Sequence, residues 1–283
     1  MQTGMLMLVS TLVGMTTLGH HDRPSFQTEV RVIPVIRQSS GVFQVGEGLE
    51  YRVSYSFFTL GTIRFKVLDK FEQRGRTVYR AQTFIDSNPS LSWLADVHIR
   101  FEGEMDEEGF SYTWQGDDSA KKFVDVRKMK FDYDRQKLFY EIGKRFPNGA
   151  YKADESDTVG ISARCQDGMS LFFYARKNFR QRKQVNVPTF VENKQVNTFI
   201  NFLNERTETE IDAVKYPVEV NRFDGRADFV GVFGMNGGFE GWFSNDDAGI
   251  PIVARMKVIL GSIKIELTRW NRAGWQPPKF ERR

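Results

Sequence analysis

Four acidic side chains, Glu102, Glu104, Asp246 and Glu266, lie in or beside segments that alternate polar and apolar residues. Two carboxylates on facing strands are enough to cleave a glycosidic bond, one as acid and the other as base or nucleophile. That makes a glycan-active enzyme one alternative reading, although spacing along the chain does not set the separation such a pair needs. A metal centre is not expected: the histidines are His20, His21 and His98, and the last stands alone on a polar strand face. The acidic pairs Asp117–Asp118 and Asp246–Asp247 lack the ligand spacing of a calcium loop. They read as turns, in which Asp bonds to its own backbone. No Gly-x-Ser-x-Gly elbow occurs, and the five glycines of Gly231 to Phe243 lack the Lys-Ser/Thr ending of a phosphate loop. Neither a catalytic residue nor a cofactor is assigned, and the single cysteine, Cys165, rules out an intramolecular disulfide.

The elements that would position any site are strands. Between Phe43 and Phe58, the residues Leu49, Tyr51, Val53, Tyr55 and Phe57 alternate with Glu50, Arg52, Ser54 and Ser56, the period of a strand that buries one face. The same alternation places Ile63, Phe65 and Val67 together, then Val97, Ile99, Phe101 and Met105, then Phe110, Tyr112 and Trp114, and finally Ile263, Ile265 and Leu267. Gly-containing turns between these runs predict antiparallel hairpins. One segment breaks the rhythm: Met169, Phe172, Phe173 and Arg176 fall at helical spacing behind Asp167, which predicts a capped helix over about 168–177. A lone amphipathic helix among strands needs a sheet to cover. The run Val196, Phe199, Ile200, Phe202 and Leu203 is apolar on both faces and predicts a strand sandwiched between layers or facing a cavity.

The chain has 283 residues, 40% of them hydrophobic and 14% aromatic, enough to bury a large core. The expected fold is all-β and mainly antiparallel, a large curved sheet or barrel-like single domain with one covering helix. Met5 to Gly19 is apolar and charge-free at the length of a signal-peptide core, although no Lys or Arg precedes it. The expected organisation is a signal peptide over 1–19, a leader over 20–42, the β domain over 43–270 and a loose basic tail over 271–283. The net charge of +4 gathers in patches such as Arg176 to Gln184 and Lys121 to Lys130, solvated faces that could also meet an anionic envelope surface. No nucleic-acid partner is expected.

Three motifs arrive in order: Val45 to Tyr51; then Gln166, Asp167, Ser170, Tyr174 and Arg176; then Trp242, Ser244, Asp246, Asp247 and Pro251. In these the chain resembles the bacterial exported proteins grouped as domain of unknown function 3108, from about Phe43 to Leu267. It departs from their pattern at Phe173-Tyr174-Ala175, where a Tyr-Tyr-Leu core is usual, and in a longer acidic stretch around Glu205 to Asp212. The resemblance implies an exported β-rich fold and no activity.

Beside it, the residues favour a soluble periplasmic or secreted protein holding an apolar or amphipathic envelope molecule, a lipid or lipid-linked glycan. The candidate ligand-binding residues are Trp242, Phe172, Phe173, Arg164, Asp167, Arg176 and Asp246. Asp167 would suit the positive end of the helix and Arg176 the negative end. Trp242 would stack on a sugar or fill the barrel mouth. An outer-membrane barrel is a third reading.

Overall fold

Segments that alternate with period two bury one face when strands pair and curl around apolar groups, and among the described residues one α-helix lies against that inner face. The computed structural model describes residues 41–91, 96–119, 122–191, 194–230, 236–258 and 261–282. The expected signal peptide, all but the end of the leader, and residues 231–235 of the Gly-rich stretch lie outside the described residues.

Fourteen strands form one sheet: β1 Gly48–Tyr55, β2 Phe58–Gln73, β3 Arg76–Ser87, β4 His98–Asp106, β5 Ser111–Asp118, β6 Val124–Asp132, β7 Lys137–Arg145, β8 Tyr151–Gly160, β9 Lys183–Val191, β10 Lys194–Thr209, β11 Val218–Val230, β12 Asn236–Ser244, β13 Pro251–Lys257 and β14 Ser262–Asn271. The order is β8-β7-β6-β5-β4-β3-β2-β1-β14-β13-β12-β11-β10-β9, and every pair of neighbours is antiparallel. Two meanders are therefore zipped together by β1 and β14. The chain leaves the first meander at the β8 edge, forms α1 (Ser170–Asn178), and enters the second at the opposite edge, β9. The sheet is not closed, because β8 and β9 do not pair. Gln166 covers part of the β9 edge through a parallel bridge to Thr189. Charges on β8, Lys152, Asp154, Glu155 and Asp157, blunt the other edge.

The helix lies on the inner face. Phe172 stacks on Phe65 of β2 with centroids 3.9 Å apart, Phe173 meets Phe43 edge-on at 5.3 Å, and Phe179 meets Phe243 of β12 at 5.5 Å. One helix thus fastens both meanders. Two glycines let it sit this close: a Cβ on Gly103 would lie 2.8 Å from the Met169 methyl, and one on Gly109 would lie 2.7 Å from the Tyr174 backbone. Each large apolar side chain fully buried this way is worth about 1.5–3 kcal/mol.

Two expectations are corrected and a third is narrowed. Phe57 does not continue the first strand; it stands in the β1–β2 turn, 84% exposed, beside a positive-φ Ser56 that reverses the chain. Strand β10 is not sandwiched between layers: Thr198, Ile200 and Phe202 are buried on one face, while on the other Phe199, 37% exposed, lines an open cavity of about 340 Å³ with Asn186, Asn197, Arg226 and Asp228, the second of the two expected settings. The tail beyond Asn271 packs against β11, with Glu219 N donating to Pro278 O at 2.7 Å and Phe280 N to Pro217 O at 2.8 Å. Its anchor is Trp275, buried and donating from Nε1 to Asp246 at 2.7 Å.

Candidate functional site

The residues picked out by sequence divide into those that hold α1 and those around the Asp246 turn. Asp167 Oδ1 accepts the amides of Met169 at 2.6 Å and Ser170 at 2.9 Å, while Oδ2 accepts the Ser111 hydroxyl. It therefore satisfies the free donors of the helix start, as its position in sequence suggests. Burial pushes its carboxyl above the usual range despite the hydroxyls of Ser111 and Ser170 and the two amides. Arg176 is fully buried, with Nη2 on Glu47 Oε2 and Ala248 O at 3.1 Å each and on Val42 O at 2.9 Å. Arg272 donates to the same Glu47 carboxylate. Two cations thus share one buried anion, which ties the chain before β1, the helix and the end of β14. Arg164 pairs with Asp106 and lies over the Phe110 ring at 4.2 Å.

Asp246 accepts Ser244 Oγ at 2.8 Å, the amide of Ala248 at 3.0 Å and the Trp275 indole, so it organises the turn before Pro251. Trp242 is half-buried under Arg255, 5.0 Å from the ring centroid. Phe172, Phe173, Asp167, Arg164 and Arg176 come together around α1, and the Ala248 carbonyl brings the Asp246 turn up to Arg176. Trp242 stands apart on β12.

The helix-start pairing carries a pH signature. The native state holds the Asp167 proton more tightly than the unfolded chain, so stability falls as pH rises from the ordinary carboxylate value of 3.8 through the raised native one. Asp167→Asn keeps the amide acceptor and is expected to flatten that dependence. Asp167→Ala strips the cap, at a cost of about 1–3 kcal/mol. Urea midpoints at pH 5 and pH 8 for the two variants check both outcomes; equal loss in Asn and Ala would contradict this role.

A cavity among the described residues is lined by none of these side chains. It is a groove of about 870 Å³ on the outer face of β3 to β8. Its floor is two cross-strand rows: Glu102, Gln115, Lys128, Glu141 and Ser156 in one, and Glu104, Thr113, Lys130, Phe139 and Thr158 in the other. The residues between them in sequence, Gly103, Trp114, Met129 and Tyr140, turn inward toward α1 or the core, so register alone sends these two rows outward.

Inside the groove, Glu104 takes Arg80 Nη2 at 2.8 Å, Glu102 takes Gln82 Nε2 at 2.6 Å and Arg100, and Glu141 takes Lys128 Nζ at 2.6 Å together with the Tyr151 hydroxyl. Partial burial pushes the Glu141 carboxyl up, yet the bonds from Lys128 and Tyr151 outweigh it and hold Glu141 below the usual range. Lys130 is exposed and forms no ion pair among the described residues, and Phe139 is 39% exposed. Ammonium, guanidinium, carboxylate, amide and hydroxyl groups thus stand beside one open ring face.

Of the four acids considered for catalysis, Glu102 and Glu104 share this groove, while Asp246 and Glu266 do not. Glu266 is buried beneath the β10–β11 connection, taking Arg52 at 2.9 Å, the Asp212 amide at 3.2 Å and Lys264. The groove went unrecognised in the sequence because its residues are an ordinary wet strand face. The one legible signal is that their charges pair from strand to strand.

Among curated proteins nothing matches the chain. Among solved structures, a β-barrel-like protein of the DUF1849 domain of unknown function from Brucella abortus is similar at 11% identity and a TM-score of 0.49, over 80% of this chain and 97% of its own. A candidate exported protein with a YmcC-like fold from Bacteroides fragilis is similar at 7% identity and a TM-score of 0.34, over 81% of this chain and 97% of its own. The family model described as protein of unknown function, DUF3108, matches residues 50–268, and the chain belongs to that family.

Proposed function

We propose that the chain is an exported envelope protein that binds the hydrophilic, hydroxyl-rich part of an amphipathic envelope molecule, of the lipid-linked glycan class, in the outer groove. The observation that carries this reading is the groove itself: about 870 Å³, open to solvent and floored by paired charges, amides and hydroxyls around Phe139. Sugar hydroxyls bond well to such groups, and the ring face of Phe139 suits the apolar side of a pyranose. The inner face, where an apolar ligand would otherwise lie, is filled by α1. Displacing the buried rings of Phe173 and Phe179 would cost about 1.5–3 kcal/mol each, and the half-buried Phe172 would add less. Export is supported by the charge-free apolar run Met5 to Gly19. Among the described residues no helix is long and apolar enough to cross a membrane.

The glycosidase reading receives less support. A general acid needs a raised pKa, and Asp167, the carboxylate that burial raises, is sealed in the core. Glu102 and Glu104 both stand in ion pairs. A membrane-spanning barrel needs every edge closed, and the β8 and β9 edges are not paired with each other.

Calorimetric titration with soluble envelope glycan fragments tests the proposal. Saturable heat is expected, weakened roughly tenfold or more by Lys130→Glu, which reverses the groove's unpaired cation. No heat with any fragment, or equal affinity in the variant, would count against it.

A further inference from the structure

The turns at the two ends of the sheet differ in kind. At one end lie the β1–β2 turn and the connections β3–β4, β5–β6, β7–β8 and β13–β14; at the other lie the turns β2–β3, β4–β5 and β6–β7 and the β12–β13 connection. The second end is hydrophilic, carrying Arg74, Glu107, Glu108, Asp134, Arg135 and Asp247. The first presents Phe57 at 84% exposure, Phe58 at 50% and Phe146 at 37%. Phe57 and Phe58 touch each other, with ring centroids 4.2 Å apart. Two large rings held against water at a hairpin tip are unusual unless something covers them. Beside these tips, Lys122 and Lys257 are exposed and form no ion pair among the described residues.

We infer that this end of the sheet docks on an anionic lipid bilayer, with Phe57 and Phe58 entering the headgroup region and the lysines meeting lipid phosphates. Aromatic tips flanked by unpaired lysines are the pattern that binds at a membrane interface, where ring burial and attraction to anionic lipids add. The apolar groups sit on separate turns with polar residues between them. A rigid protein partner needs a continuous complementary patch, whereas a fluid lipid surface adapts to separate tips. The turn backbones must stay hydrated, which limits the entry to the interface. This inference is independent of the groove, whose rows lie on the outer face between the two ends.

Flotation of the full chain with phosphatidylglycerol–phosphatidylethanolamine vesicles, compared with phosphatidylcholine vesicles, tests it. The protein is expected to float with the anionic vesicles, and F57D/F58D is expected to lose roughly tenfold or more of the bound fraction. Both side chains are exposed, so the double variant should retain the wild-type thermal midpoint. Phe57→Trp supplies a second readout: its emission should shift to the blue on anionic vesicles. Absence of flotation with either vesicle, equal flotation of wild type and F57D/F58D, or an unchanged emission maximum would overturn the inference. So would a change of oligomeric state caused by F57D/F58D without lipid, which would make the same tips a contact between copies of the chain.

Discussion

Replacing Glu47 with glutamine should lower stability by about 3–5 kcal/mol, more than removing either arginine that it binds. Arg176 is fully buried and Arg272 nearly so, and Glu47 is the anion between them. Glutamine keeps the shape but removes the charge, and its amide group turns a donor toward guanidinium donors. Two buried cations would then face each other without compensation, the situation in which a broken buried pair is most costly. Arg176→Met is milder by this reasoning, since Glu47 keeps Arg272. It still strips the Ala248 carbonyl of its donor, at about 1–3 kcal/mol, whereas the Val42 carbonyl keeps Arg272 Nη1 at 3.0 Å. Urea unfolding at fixed pH, read as the change in midpoint at constant slope, measures both. A Glu47→Gln midpoint within the error of wild type would show that the buried pair is not what joins the two meanders.

Phe173→Ala is expected to cost about 3–5 kcal/mol, while Phe57→Ala, on the same residue type, should leave stability almost unchanged. Phe173 is 2% exposed and meets Phe43, Phe65 and Phe172 at centroid distances of 5.3, 6.5 and 5.2 Å. The neighbours belong to three different segments, so they cannot collapse together into the space that alanine leaves, and the cavity contribution adds to the lost transfer energy. Phe57 touches chiefly Phe58 and is already in water. Thermal midpoints of the two alanine variants, measured side by side, give the comparison directly, and similar losses at both positions would contradict the placement of α1 inside the sheet.

What the residues reveal on their own is local. The alternation from Leu49 to Tyr55 corresponds to strand β1, and Asp167 ahead of Met169 and Phe173 marks the start of the helix, because both signals depend on neighbours within a few positions. Pairings across the chain leave no such trace. Glu47 and Arg176 stand 129 positions apart, and each alone reads as a turn residue or a helix-end charge. The union of β1 with β14 is invisible for the same reason. Phe199 left two settings open because a strand with phenylalanine outward and isoleucine inward has the composition of a sandwiched strand. The Pro-containing tail reads as loose because proline breaks regular structure, whereas Trp275 and Phe280 hold it on β11 and the Asp246 turn. The groove was hidden because wet strand faces are normally charged, and only register shows that two such rows run together across β4 to β8.

Native mass spectrometry most directly tests whether the groove is a binding site. The protein would be purified from an exporting host without detergent, as wild type and as Lys130→Glu, and each sample then denatured and extracted with solvent. The expected result is added mass on the wild type that extracts as a glycan-bearing amphiphile and is missing or strongly reduced on the variant. A wild type at its bare polypeptide mass, or the same bound mass on both proteins, would contradict the groove as the site.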